Sequence, residues 1–268
     1  MTTAFRILAY GYAVDHYDEY IKIGKSTTIK CLKAFCNAIV AVYAEEYMRP
    51  PNEADIARLL EEGEQRGFPG MLGSIDCMHW KWKNCRVEWQ GTHRGLSGKN
   101  TLILEAVASQ DLWIWHAFFR MLGLHNDINV LDHSSVFNGI INGQLPPVNY
   151  VVNEHHYRIG YYLSDGIYPK WATLMQTIPH PTTTKEKLFA QRQEAARKDV
   201  GWAFGVLQIK WTPPPENAIP IPTLSRCPSV LAAHISSRQL QIRNRETNTR
   251  LRNDLVENLW NRYADEDV

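Results

Sequence analysis

An α/β fold, a mixed sheet flanked by helices, is what the sequence predicts, and three observations predict it. Two long segments, one after Gly24 and one from Thr184 to Lys210, repeat apolar residues every three to four positions, as helices do. Between them, short apolar runs near 71–82, 102–108 and 113–119 are separated by turn residues and read as an antiparallel meander. Farther on, Tyr161-Tyr-Leu-Ser-Asp165-Gly is a strand that delivers a carboxylate at its carboxyl edge, where ligands gather in open α/β sheets.

At 268 residues the chain can bury a substantial core and has room for one or two domains. A formal net charge of +1 argues against an overall polycation, so any nucleic-acid contact must come from local patches. The five cysteines form no C-x2-C pair and follow no secretory signal, which points to free thiols in a reducing compartment. No run approaches about 18 uninterrupted apolar residues, so no segment reads as a membrane span. Nucleus or cytoplasm remains.

Taken in order, the chain opens with helices. Ser26 or Thr27 can cap a helix whose apolar positions are Ile29, Leu32, Cys36, Ile39, Val40 and Tyr43, and Pro50-Pro51 stops it. Asn52 caps a second helix, with Asp55 three residues on and Ile56, Leu59 and Leu60 facing inward, ending at Gly63 or Gly67. This bundle, residues 1–67, either grips DNA or supports the sheet; Lys22, Lys25, Lys30 and Lys33 give it a modest basic edge. In Gly70-Met-Leu-Gly-Ser-Ile-Asp76 a loop becomes a strand that ends on a carboxylate, and Met78 to Trp82 alternate as a half-buried strand does. Residues 85–99 are polar and read as an exposed loop, while Trp80, Trp82, Trp113 and Trp115 read as strand-face packing.

Asp127 precedes a short helix and suits an N-cap; His125 and His133 lack zinc-site spacing and read as surface polar groups. Pro146-Pro147 ends that helical region, and runs at 148–152 and 157–163 lead to Asp165. In the helix from Thr184, the positions Leu188, Ala196, Val200, Ala203, Phe204 and Leu207 share a periodic face. The segment from Thr212 to Pro222 is too rich in proline for helix interior or central strand. Leu251, Leu255 and Leu259 then mark a last helix, whose Arg243, Arg245, Arg250 and Arg252 form a solvated face or a phosphate contact.

Five strings in order carry a family resemblance: GFPGMLGSIDCMHWKWKNC at 67–85, ILEAVASQDLWIWHAFF at 103–119, NDINVLDHSSVF at 126–137, YYLSDGIYPKWATLMQTIP at 161–179 and RKDVGWAFGVLQ at 197–208. Over nearly its whole length the chain resembles the plant branch of the PIF/Harbinger transposases, DDE endonucleases with a ribonuclease-H-like fold. The resemblance implies a helix-turn-helix-like subdomain at 1–67, a ribonuclease-H-like domain at 68–211, and a degraded C-terminal region at 212–268. It maps Asp76 and Asp165 onto two catalytic, metal-binding aspartates and places Asp127 beside them as a metal contact or support. It also implies DNA as substrate, a Myb-like accessory protein as partner, and a nuclear location.

Such chemistry uses two divalent cations about 4 Å apart, and hard Mg²⁺ or Mn²⁺ requires carboxylate oxygens from separate elements. The third acid of the resembled family falls at position 201, within Asp-Val-Glu-Arg-Ala-Phe-Gly. Here that string is Asp199-Val-Gly201-Trp202-Ala-Phe-Gly205. Asp199 lies about 200° away around the helix, and Glu194 about 10 Å back along its axis, so neither is expected to substitute. The sequence therefore predicts a DDE-type relative whose cleavage is impaired. Its alternatives are a non-enzymatic nuclear DNA-binding or protein-interaction module and, ranked third, an active nuclease.

Overall fold

The computed structural model describes residues 2–10, 22–82, 85, 87–95, 98–122, 126–211 and 232–263. The Pro-rich segment, at 212–222, and His125 lie outside the described residues. Among the described residues, three helices come first: α1 (Thr2–Tyr10), α2 (Lys25–Tyr47) and α3 (Glu53–Gln65). A meander follows, β1 (Met71–Lys81), β2 (Thr101–Ala108) and β3 (Ile114–Leu122), with a short helix α4 (Val87–His93) between its first two strands. Then come α5 (Asp127–His133), α6 (Asn138–Ile141), a hairpin of β4 (Tyr150–Val152) and β5 (His155–Tyr157), and strands β6 (Tyr161–Ser164) and β7 (Leu174–Gln176). Helices α7 (Thr184–Lys210), α8 (Ala232–Ile242) and α9 (Arg245–Tyr263) follow among the described residues.

The main sheet has five strands in the order β3-β2-β1-β6-β7. The meander is antiparallel, whereas β6 joins β1, and β7 joins β6, in parallel. This mixed sheet covered by helices is compatible with a ribonuclease-H-like fold. Every residue of β2 is buried, as a central strand requires. Gly73 has φ +141 and sits where the β1–β6 register shifts; a Cβ there would lie 2.7 Å from the Ala108 carbonyl oxygen, so only glycine lets the strands approach. The hairpin between β4 and β5 turns on Asn153 and Glu154, both with positive φ, the backbone of a primed two-residue turn.

Each face of the sheet is sealed differently. On one, Ile75, Val107, Tyr162 and Leu174 pack with Ile56 and Leu59 of α3 and Leu131 of α5. On the other, Met71, Leu163 and Met175 meet Phe189 of α7 and Leu251, Leu255 and Leu259 of α9, and Met78, Leu104 and Ala106 meet Val200, Ala203 and Phe204. The three leucines of the last helix are buried, as their four-residue spacing predicts. Two of its flanking arginines are engaged by aromatic rings: Arg243 lies 4.6 Å from the Trp171 centroid and Arg250 5.6 Å from that of Tyr157.

Several expectations are corrected. Gly24, not Ser26 or Thr27, is the N-cap of α2, and no side chain caps it. Leu32 of α2 is buried against Ala4 and Ile7 of α1, but Ile39, Val40 and Tyr43 are exposed; in the second half of that helix Tyr47 stacks on Trp113 at 5.3 Å between ring centroids. By length and composition alone α2 could also cross a bilayer, which a search for uninterrupted apolar runs misses; the core helix of a soluble protein can pass that test too. The polar stretch at 85–99 holds α4 rather than an open loop. His93, expected at the surface, is buried beside Trp89 and Trp82. β1 does not end on Asp76 but runs on to Lys81, held by its pairing with β2.

Candidate active site

Strand register brings the two predicted acids together. Ser74 of β1 is paired with Leu163 of β6; Asp76 lies two residues farther along β1, and Asp165 two residues beyond Leu163, just past the end of β6. Strands paired this way lie about 4.8 Å apart, and side chains of the same parity share a face. Ser74 marks which face: its hydroxyl donates to the Ala196 carbonyl of α7, at 3.2 Å. Asp76 therefore looks toward α7.

Asp76 is half-buried and fully engaged. Its Oδ1 accepts the Cys77 backbone N–H at 2.9 Å, and its Oδ2 accepts Arg197 Nη1 at 2.9 Å. Burial raises its pKa above the ordinary carboxylate value; the Cys77 N–H and Arg197 oppose that rise, and the charge of Asp165 adds to it. Asp165 follows β6 and is exposed, with its Oδ1 accepting the Gly166 N–H at 2.5 Å.

Asp127 is in the first turn of α5, where Asn126 and not Asp127 is the N-cap, its side chain accepting from the Asn129 N–H. That frees the aspartate from the capping role expected of it. Burial raises the Asp127 pKa, as do the charges of Asp76 and, more weakly, Asp165, while His79 and the Cys77 thiol lower it. The three predicted acids thus lie within Coulombic reach of one another.

Gly201 is one helical turn beyond Arg197, on the same side of α7. It is exposed, and a Cβ there would meet nothing within 4 Å, so the position has room for a larger side chain. Neither neighbouring acid fills the role. Asp199 is buried and held by Arg66 Nη1 at 2.5 Å and Nη2 at 3.3 Å, while Glu194 is exposed. Trp202 is 67% exposed.

The aspartates are chemically suited to Mg²⁺ or Mn²⁺, which prefer hard oxygen ligands. As arranged, they fall short: among the described residues no group of three or more His, Cys, Asp or Glu side chains is placed to hold a metal. One Asp76 oxygen is already committed to a guanidinium, and α7 brings no carboxylate.

Two contributors escaped the sequence reading. Buried Gln193 donates its amide to the Ser164 and Met175 carbonyls at 3.1 and 3.0 Å, fastening α7 across the ends of β6 and β7. Glu105 of β2 is fully buried opposite Cys77, and neither carboxylate oxygen has a hydrogen bond; His116 Nε2 is 3.4 Å away. A lone charge inside Leu-Ile-Leu-Glu-Ala-Val-Ala was the available signal for Glu105. Beside it, Cys77 Sγ is 3.4 Å from the Tyr168 hydroxyl, and burial pushes that thiol's pKa up.

A family model described as "plant transposon protein" matches residues 45–213, a span that includes the sheet, all three aspartates and α7. No curated protein and no solved structure matches the chain.

Proposed function

The chain belongs to the plant transposon protein family, and from that premise we propose that it is a transposase-derived relative of the PIF/Harbinger DDE endonucleases with impaired cleavage. Its ancestral activity would be metal-dependent cutting and joining of DNA phosphodiesters. Asp76 and Asp165 would be the two retained acids, with Asp127 as their neighbour. What carries this reading is one juxtaposition: an aspartate on β1 and one just past the end of β6 within electrostatic reach of each other, with α7 donating Arg197 to the first and carrying Gly201 where a third acid is expected. Two-metal chemistry needs oxygen ligands for both ions, and two acids with one oxygen already taken supply too few. Loss of one such ligand leaves the fold in place and removes the reaction.

A plasmid-nicking assay with Mn²⁺ tests it. The parent chain is expected to cleave no more than a protein-free control, and Gly201→Glu to cleave above it. Robust nicking by the parent would overturn the proposed impairment.

A second reading, a nuclear DNA-binding or protein-interaction module, draws support from α2. Lys25, Lys30 and Lys33 give its first half a basic edge for phosphates, and its second half leaves Val42, Tyr43, Tyr47 and Met48 exposed. DNA and a Myb-like protein are the partners this reading proposes. A DNA mobility shift that weakens with salt, in a chain that nicks nothing, would favour it.

A further inference from the structure

The acidic edge of the sheet does not face solvent alone: Arg197 reaches into it from α7 and donates to Asp76 Oδ2 at 2.9 Å, with both side chains about a quarter exposed. That bond takes the one Asp76 oxygen not already held by the Cys77 N–H. We propose that the Arg197 guanidinium serves as the site's built-in cation, occupying the Asp76 oxygen that a divalent ion would need, and that Gly201 is what releases it to do so.

The second half of this proposal follows from helix geometry. Residues four apart on a helix are neighbours, and an arginine there can pair with a carboxylate at i+4, less strongly than in the reverse order. Arg197 and position 201 have that spacing. A carboxylate at 201 would draw the guanidinium along the helix and away from Asp76. Glycine offers it nothing, so the nearest acid is the one across the sheet. Asp199 is no competitor, because Arg66 holds both of its oxygens. Loss of the third acid then has two effects: one ligand disappears, and a second is blocked. The inference rests on the reading of Asp76 and Asp165 as a former cation cradle.

Calorimetric titration of the full chain with Mn²⁺ alone tests it at fixed pH and low salt. Arg197→Gln is expected to bind Mn²⁺ about tenfold more tightly than the parent, the scale of one charge-assisted hydrogen bond. Adding Asp76→Asn to that variant is expected to abolish the gain. Gly201→Glu is expected to tighten binding as well, with Arg197 intact. A circular-dichroism melt checks that each variant folds. If Arg197→Gln does not, Arg197→Lys carries the test: it keeps the charge but loses the planar fork, and a gain of about threefold is expected.

Equal or weaker Mn²⁺ binding by a folded Arg197 variant, with the parent binding measurably, overturns the built-in-cation proposal alone. If no variant binds Mn²⁺, including Arg197→Gln combined with Gly201→Glu, the cradle reading falls and takes this inference with it.

Discussion

Position 201 shows how one side chain can decide chemistry without deciding fold. Glycine in a helix interior is less favourable than alanine by about 1 kcal/mol, yet α7 runs unbroken through it for 27 residues. Because Gly201 is exposed and a Cβ there meets nothing, Gly201→Ala should stabilise the chain by about 1 kcal/mol. An unchanged or lower urea midpoint would show that the glycine has a structural task. At this scale the sequence was informative about identity and silent about pairing. Asp76, Asp165 and Gly201 could be singled out from their motifs, and Asn52 with Asp55 could be read as a capping box, which the structure contains. Arg197 on Asp76 and Arg66 on Asp199 could not be read, because each joins residues more than 100 positions apart through a contact that only packing creates.

Among the elements, α7 was the most legible. Its bounds coincide with the periodic segment because both ends carry local signals: Thr183 and Glu186 form a capping box at the start, and proline-rich sequence follows the end. Glu186 accepts the backbone N–H groups of Thr183 and Thr182 and the Thr182 hydroxyl, which holds its carboxyl down at about 2. A depressed folded pKa means that the ionised form stabilises the native state. The contribution is present above the ordinary glutamate range and lost as pH falls toward about 2. Glu186→Gln should therefore lower the urea midpoint at pH 7, with the gap to the parent closing as the medium is acidified through that window; a pH-independent gap would refute the capping account. Helix α2 was legible only in part. Periodicity tells which residues share a face but not whether anything lies against it, and Ile39, Val40 and Tyr43, which the period places inside, are exposed.

At the scale of the whole molecule, the sheet's meander could be inferred because its strands are consecutive and β2 and β3 are joined by a short connection, although the longer segment between β1 and β2 carries α4. Of the parallel additions, β6 could be read as an apolar run, while β7 at three residues has no periodicity to read, and nothing local tells that either strand adds in parallel. Their placement depends on long-range packing, and α9 supplies much of it. Leu255 is fully buried among Phe68, Tyr161 and Phe189. Leu255→Ala should cost about 3 kcal/mol by leaving a cavity under the sheet, measurable as a drop in the urea midpoint; a loss below about 1 kcal/mol would mean that α9 is a loosely docked appendage.

The parallel junction of β1 with β6 has a bearing on assembly. Local hairpins close quickly, whereas a crossover must bring distant chain segments into register before any bond repays the lost entropy. Contact order therefore predicts that Asp76 belongs to the sooner-formed half and Asp165 to the later one, with their meeting late in folding. Anything that bridges the two carboxylates in the native state, and cannot do so in the unfolded chain, would act as a latch on the finished molecule and slow its opening.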